Sequence, residues 1–84
     1  MTTFNNNREN KMTVLQQKFL TDLKTCQPFQ VTDRSYNYTK TDVYEHFIDL
    51  GWKDKSFKSV LGSLYKKEIL TPELGQFFIN KEQA

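Results

Sequence analysis

Apolar residues recur along this 84-residue chain in two periods, one helical and one strand-like, and the changes between them divide it into elements. Met12, Leu15, Phe19, Leu23 and Cys26 are spaced by three and four, which places them on one face of a helix. Gln16, Gln17, Lys18, Thr21, Asp22 and Lys24 fill the other sides. Asn10 or Thr13 is suited to cap this helix, and Pro28 ends it. Phe29-Gln30-Val31 alternates and predicts a short strand, whereas residues 32–38 (TDRSYNY) read as a polar turn with Tyr36 and Tyr38 at least partly exposed. A second helix starts at Thr39 or Thr41, carries Val43, Phe47 and Leu50 as its stripe with Tyr44 and Ile48 beside it, and stops at Gly51. Trp52 is expected to pack beneath that turn.

The third helix has the clearest period in the chain. Phe57, Val60, Leu61, Leu64 and Tyr65 fall at i, i+3, i+4, i+7 and i+8, with Asp54 or Ser56 as the cap. Ile69-Leu70-Thr71 then reads as a strand, Pro72-Glu73-Leu74-Gly75 as a type I turn, and Gln76 to Ile79 as the returning strand. Phe77 and Phe78 are adjacent in that strand and so point to opposite faces, which makes the outward one a candidate dimer contact. The pattern predicts an α+β fold, mostly helical: a flexible arm over residues 1–9, one domain over 10–80 and a flexible tail over 81–84.

Composition narrows the function classes. Twelve aromatics give a chain of this length much apolar area per residue. A single cysteine, Cys26, excludes an internal disulfide and cannot alone hold a structural zinc ion. The lone histidine, His46, has no partner of another ligand type nearby in sequence. With no nucleophile–base pairing, no glycine-rich phosphate loop and no metal-ligand spacing, the chain reads as a binding module and not an enzyme, without cofactor or metal. No segment approaches a membrane span, and the first ten residues hold no apolar run of the secretion-signal kind, so a cytoplasmic protein (nuclear in a eukaryote) is expected. Net charge is only +2, yet residues 53–67 carry Lys53, Lys55, Lys58, Lys66 and Lys67 against Asp54 alone, a segment at +4.

The order helix, short strand, helix, tight turn, amphipathic helix, β-hairpin resembles the winged-helix (winged helix-turn-helix) superfamily. The likeness is carried by residues 39–81. In particular, SFKSVLGSLYKKEIL followed by TPELGQFFIN is similar to a recognition helix running into a wing, as in many small bacterial and phage regulators. The resemblance implies a three-helix winged-helix domain with a C-terminal hairpin wing, whose third helix binds double-stranded DNA in transcription regulation.

On that reading, Lys55, Ser59, Gly62, Ser63 and Lys66 form the side of the third helix opposite its apolar stripe, bordered by Ser56, Lys58 and Lys67. Lys55, Lys58, Lys66 and Lys67 would hold phosphates and Ser59 and Ser63 would approach base edges, while Ser56 at the helix start would present backbone N–H groups to a phosphate. Gly62 costs about 1 kcal/mol relative to Ala inside a helix, so its presence asks for close approach by a neighbouring helix or a ligand. The face lacks Arg, Asn and Gln, the commonest base readers, and Glu73 places an acid where a wing usually carries a base. Those departures keep a second expectation open: a protein–protein interaction module, for example a phage protein that redirects a host enzyme, using Arg34, Tyr36, Tyr38 and Glu73. A homodimer is expected if the chain reads a two-part DNA site.

Overall fold

The computed structural model describes residues 12–83, which form three helices and one four-stranded antiparallel sheet. Helix α1 spans Val14–Leu23, α2 Lys40–Asp49 and α3 Asp54–Lys66; strands β1 (Gln30–Val31), β2 (Ser35–Thr39), β3 (Leu70–Glu73) and β4 (Gln76–Asn80) lie in the order β1-β2-β4-β3. The α+β reading therefore holds. Asn10 as a cap and the arm over residues 1–9 lie outside the described residues. No described helix is long and apolar enough to cross a membrane.

Helix α1 starts with a reciprocal cap: the Thr13 hydroxyl accepts from the Gln16 N–H at 3.1 Å, and the Gln16 Oε1 accepts from the Thr13 N–H at 2.9 Å. The helix ends at Leu23, five residues before Pro28, so Cys26 sits in the following turn and is not on the helical stripe. Its sulfur still packs half-buried against the core.

The principal correction concerns residues 32–38. Residues 35–39 are not a turn but a central strand, paired with β1 on one side and β4 on the other. Tyr38 stands opposite Phe77, stacked at 5.6 Å between ring centroids, and is only 5% exposed. Tyr36 is half-buried opposite Ile79. Strand pairing supplies the burial that the polar composition hid: Asn37 and Ser35 bond each other and Gln30 and Thr32 on the outer face, leaving both tyrosines on the inner one.

Strand β2 passes into α2 without a loop; Thr39 ends the strand and occupies the N-cap, although its hydroxyl makes no capping bond. Lys40 N–H donates to the Gly75 carbonyl at 3.1 Å, tying the start of α2 to the hairpin loop. Helix α3 is preceded by Lys53, with Asp54 already its first residue, so neither Asp54 nor Ser56 caps it. Both α2 and α3 end in the same arrangement. At α2, Gly51 (φ 104°) reverses the chain while Gly51 and Trp52 N–H groups close on Ile48 and Phe47 carbonyls. At α3, Glu68 takes the corresponding left-handed position (φ 62°), with Glu68 and Ile69 N–H groups closing on Tyr65 and Leu64.

The hairpin turn falls later than the sequence predicts. Glu73 pairs with Gln76, Pro72 lies within β3, and only Leu74 and Gly75 form the loop, with Gly75 at φ 70°. Pro72 is tolerated because β3 is an edge strand. Lys81–Gln83 continue from β4 in a turn anchored by the Lys81 N–H on the Arg34 carbonyl, so these three residues of the expected flexible tail are placed.

Phe19 centres the core, within 4.6–5.6 Å of the Phe47, Phe57 and Trp52 rings by centroid. Leu23, Val43, Val60, Leu61, Leu64, Leu70, Phe77 and Ile79 complete it. Leu15 and Leu50, expected on buried stripes, are instead 49% and 46% exposed. Gln16, expected on a polar side, is buried.

Candidate nucleic-acid interface

Helix α3 is held by its apolar side, formed by Phe57, Val60, Leu61 and Leu64, so the residues about 180° around the helix must face outward. These are Lys55, Ser59, Gly62 and Lys66. Lys55, Ser59 and Lys66 are exposed, and no described carboxylate is ion-paired with either lysine. Lys53, exposed immediately before the helix, extends the cationic line at its N-terminal end. Lysines at both ends of a stripe of small side chains can accept two phosphates while the backbone between them approaches a groove.

One border of this stripe is occupied by α1. Gln16 Nε2 donates to the Ser63 hydroxyl at 2.8 Å, Ser63 passes its own proton to the Val60 carbonyl at 2.7 Å, and the Lys67 ammonium donates to Gln16 Oε1 at 2.8 Å. Ser63 and Lys67 thus clip α1 onto α3. Of the residues expected to touch DNA, Ser63 therefore spends its hydroxyl on Gln16 and Val60, and Lys67, exposed, gives one of its ammonium hydrogens to Gln16. Every buried side-chain nitrogen and oxygen among the described residues has a partner.

The other border faces α2. The Tyr44 hydroxyl donates to Asp54 Oδ1 at 2.8 Å, and Lys58 Nζ pairs with the same oxygen at 3.1 Å. The hydrogen bond from Tyr44, then that from Lys58, holds the Asp54 carboxyl below its ordinary value; the hydrogen bond that the Tyr44 hydroxyl gives to this carboxylate keeps the phenol protonated and pushes it up. Lys58 is thus in an exposed pair with a neighbour one turn away, a weak interaction that leaves part of its ammonium to solvent. Between α2 and α3 lies an open depression of ≈ 440 Å³ walled by Tyr44, Phe57, Leu61 and Tyr65, with Gly62 on its border. A Cβ built on Gly62 meets nothing within 4 Å, so no neighbouring helix requires the glycine. Ser56, half-buried at the helix start, lines a separate dent toward α1.

The residues of the second expected surface do not assemble. Arg34 precedes β2 at one end of the sheet, whereas Glu73 pairs with Gln76 at the other, next to Thr39. Tyr38 is inside, and Tyr36 carries the Lys81 ammonium 5.4 Å above its ring. The outer face of the sheet does present Phe78, half-buried between Asn37 and Thr71.

The remaining chemistry-bearing side chains are structural in their contacts. Burial, then the Asp22 charge, pushes the Cys26 thiol up to about 11, so it is protonated and unreactive at neutral pH. His46 Nε2 lies 2.8 Å from the Thr25 hydroxyl, which itself donates to the Asp22 carbonyl. Asp22 Oδ2 accepts from Trp52 Nε1 and from Lys18, each at 2.8 Å. Partial burial raises that carboxyl, but the two hydrogen bonds and the Lys18 and His46 charges outweigh it and leave the group below its ordinary value. Two residues that matter to the interface escape a reading by stripe alone: Lys53, which precedes the helix, and Gln16. The Thr13-x-x-Gln16 spacing of a capping box is the signal for Gln16, because it fixes the side chain at the helix start.

No family model, curated protein or solved structure matches this chain.

Proposed function

We propose that the chain is a winged-helix DNA-binding protein that presents α3 to the duplex, in keeping with a transcriptional regulator. The observation that carries this reading is the outward stripe of α3: exposed lysines at both ends, Ser59 and Gly62 between, and no acid on it. The topology supports it, since the strand before α2 shares one sheet with the hairpin after α3 and a short turn joins the two helices. Neither hairpin strand carries a lysine or arginine, and its tip is Leu74, 98% exposed. The electrostatic attraction therefore comes from α3 and its entry, through Lys53, Lys55 and Lys66, with Ser59 as the side chain nearest to base edges. One such helix gives few contacts, so two copies on two half-sites are needed for a tight specific complex.

Fluorescence anisotropy against a random-sequence duplex at several salt concentrations tests the proposal. Three phosphate-neutralising lysines predict a slope of log K on log[salt] of about −3. A Lys55→Glu/Lys66→Glu variant should fold normally and lose most of that binding. Affinity indifferent to salt, or binding retained by the variant, excludes α3 as the DNA-contacting element.

A further inference from the structure

Two apolar stripes run out of the core to the same place on the surface. Phe19 and Leu23 of α1 are buried, but Leu15 one turn earlier is half exposed; Val43 and Phe47 of α2 are buried, but Leu50 at its end is half exposed. The two leucines meet at a dent of ≈ 250 Å³ between α1 and the α2–α3 turn, with Trp52 also lining it. Val14, 81% exposed, adds apolar surface on the same turn as Leu15. Apolar side chains gathered at a concavity mark a contact site, where isolated ones would not.

The charges around the dent say what fits there. Its lining holds two lysines, Lys18 and Lys53, and no carboxylate. Asp22, which pairs with Lys18, is turned to Trp52 Nε1 as well and lies outside the lining. A second copy of the chain would set the same lysines against each other across a two-fold axis, whereas an acidic segment would meet both. We propose that this dent binds an acidic amphipathic segment of a partner protein, seating an apolar side chain on Leu15, Leu50 and Trp52 while its carboxylates meet Lys53 and Lys18. This surface lies on α1 and the α2–α3 turn, so the inference goes beyond the DNA reading and stands without it; the shared residue is Lys53.

Trp52 is the only tryptophan in the chain, so its emission reports occupancy directly. The probe is a synthetic amphipathic peptide with leucines at helical spacing and glutamates elsewhere, titrated without DNA. Two control peptides replace its glutamates by lysines or its leucines by alanines. Saturable change is expected with the Glu–Leu peptide alone, with Kd in the range of about 1–100 μM and weakening as salt rises. The Leu15→Ser/Leu50→Ser protein should bind it at least about tenfold more weakly while keeping its circular dichroism, since both sites are surface positions. Should that variant misfold, Lys53→Glu serves instead, with weaker binding of the Glu–Leu peptide and stronger binding of its lysine counterpart expected. No saturable change up to about 1 mM peptide, equal binding of both charge versions, or equal binding by the variants overturns the proposal. Self-association that sedimentation detects and the leucine substitutions abolish also overturns it, by making a second copy the occupant. The peptide titration is run without DNA, and the DNA reading is tested apart from it by the Lys55→Glu/Lys66→Glu variant, which keeps Lys53, Leu15 and Leu50.

Discussion

Glu68 and Gly51 occupy equivalent positions one residue past their helix C-caps, and only one of them is the residue that the backbone prefers. A left-handed φ costs an ordinary side chain on the order of 1 kcal/mol, because its Cβ crowds the carbonyl. At Gly51 the cost is absent; at Glu68 it is offset by Ile69 and Leu70 being delivered to the core and to β3. Glu68→Gly should therefore stabilise the fold by about 0.5–1 kcal/mol, raising Tm by a few degrees in a domain this small. Thermal denaturation followed by circular dichroism checks it, and a lowered Tm would mean that the glutamate side chain makes a compensating contact. The same scale explains why Gln16 is easily overlooked. Amide side chains are ordinarily solvent-facing, and only its pairing with Thr13, Ser63 and Lys67 makes burial tolerable.

At the scale of elements, helices were the more legible part. The 57/60/61/64 period places α3 because each turn repeats the same local rule, and the fold buries all four residues. Strand β2 was hidden for the opposite reason. Ser35-Tyr36-Asn37-Tyr38 alternates, but its inward residues are tyrosines and its outward ones look like turn formers, so the strand depends on β1 and β4 for its identity. Gly62 links element to function. With open space at its Cβ, Gly62→Ala should stabilise α3 by about 0.5–1 kcal/mol, read from the chemical-denaturation midpoint. If the α3 backbone approaches DNA there, the same variant should bind duplex several-fold more weakly in the anisotropy assay. Unchanged affinity in the stabilised protein would move the close approach away from residue 62.

For the molecule as a whole, α1 is pinned at both ends. Gln16 ties its start to the C-terminal part of α3, and Asp22 ties its end to the α2–α3 turn through Trp52. The Asp22 carboxyl titrates below its ordinary value of 3.8 in the folded chain. A depressed carboxylate contributes stability that is complete above its unfolded value and is lost as pH falls through the lower folded one. Acid should therefore loosen this clamp below about pH 4. Asp22→Asn, which keeps an acceptor for Trp52 but removes the charge, should cost about 1 kcal/mol near neutral pH, a difference that shrinks as acid protonates the carboxylate. Urea unfolding across that range measures it, and a constant difference between the two proteins would show that the charge is irrelevant to the clamp.

Local rules in the sequence determined the three helices, the Gly51 stop, the hairpin after α3 and the concentration of positive charge at its start and end. Each follows from spacing or from a single residue's conformational preference, so no distant partner had to be known. The period also set the outward side of α3, but the tertiary structure alone decided what its borders touch. Packing α1 against α3 tied Ser63 and Lys67 to Gln16, and packing α2 beside it brought the Tyr44 hydroxyl onto Asp54. It likewise turned a polar run into the central strand β2 and left Leu15 and Leu50 outside the core. These outcomes depend on residues far apart in sequence, Gln16 with Ser63 or Tyr38 with Phe77, meeting in space, and a period along one element holds no record of what covers it.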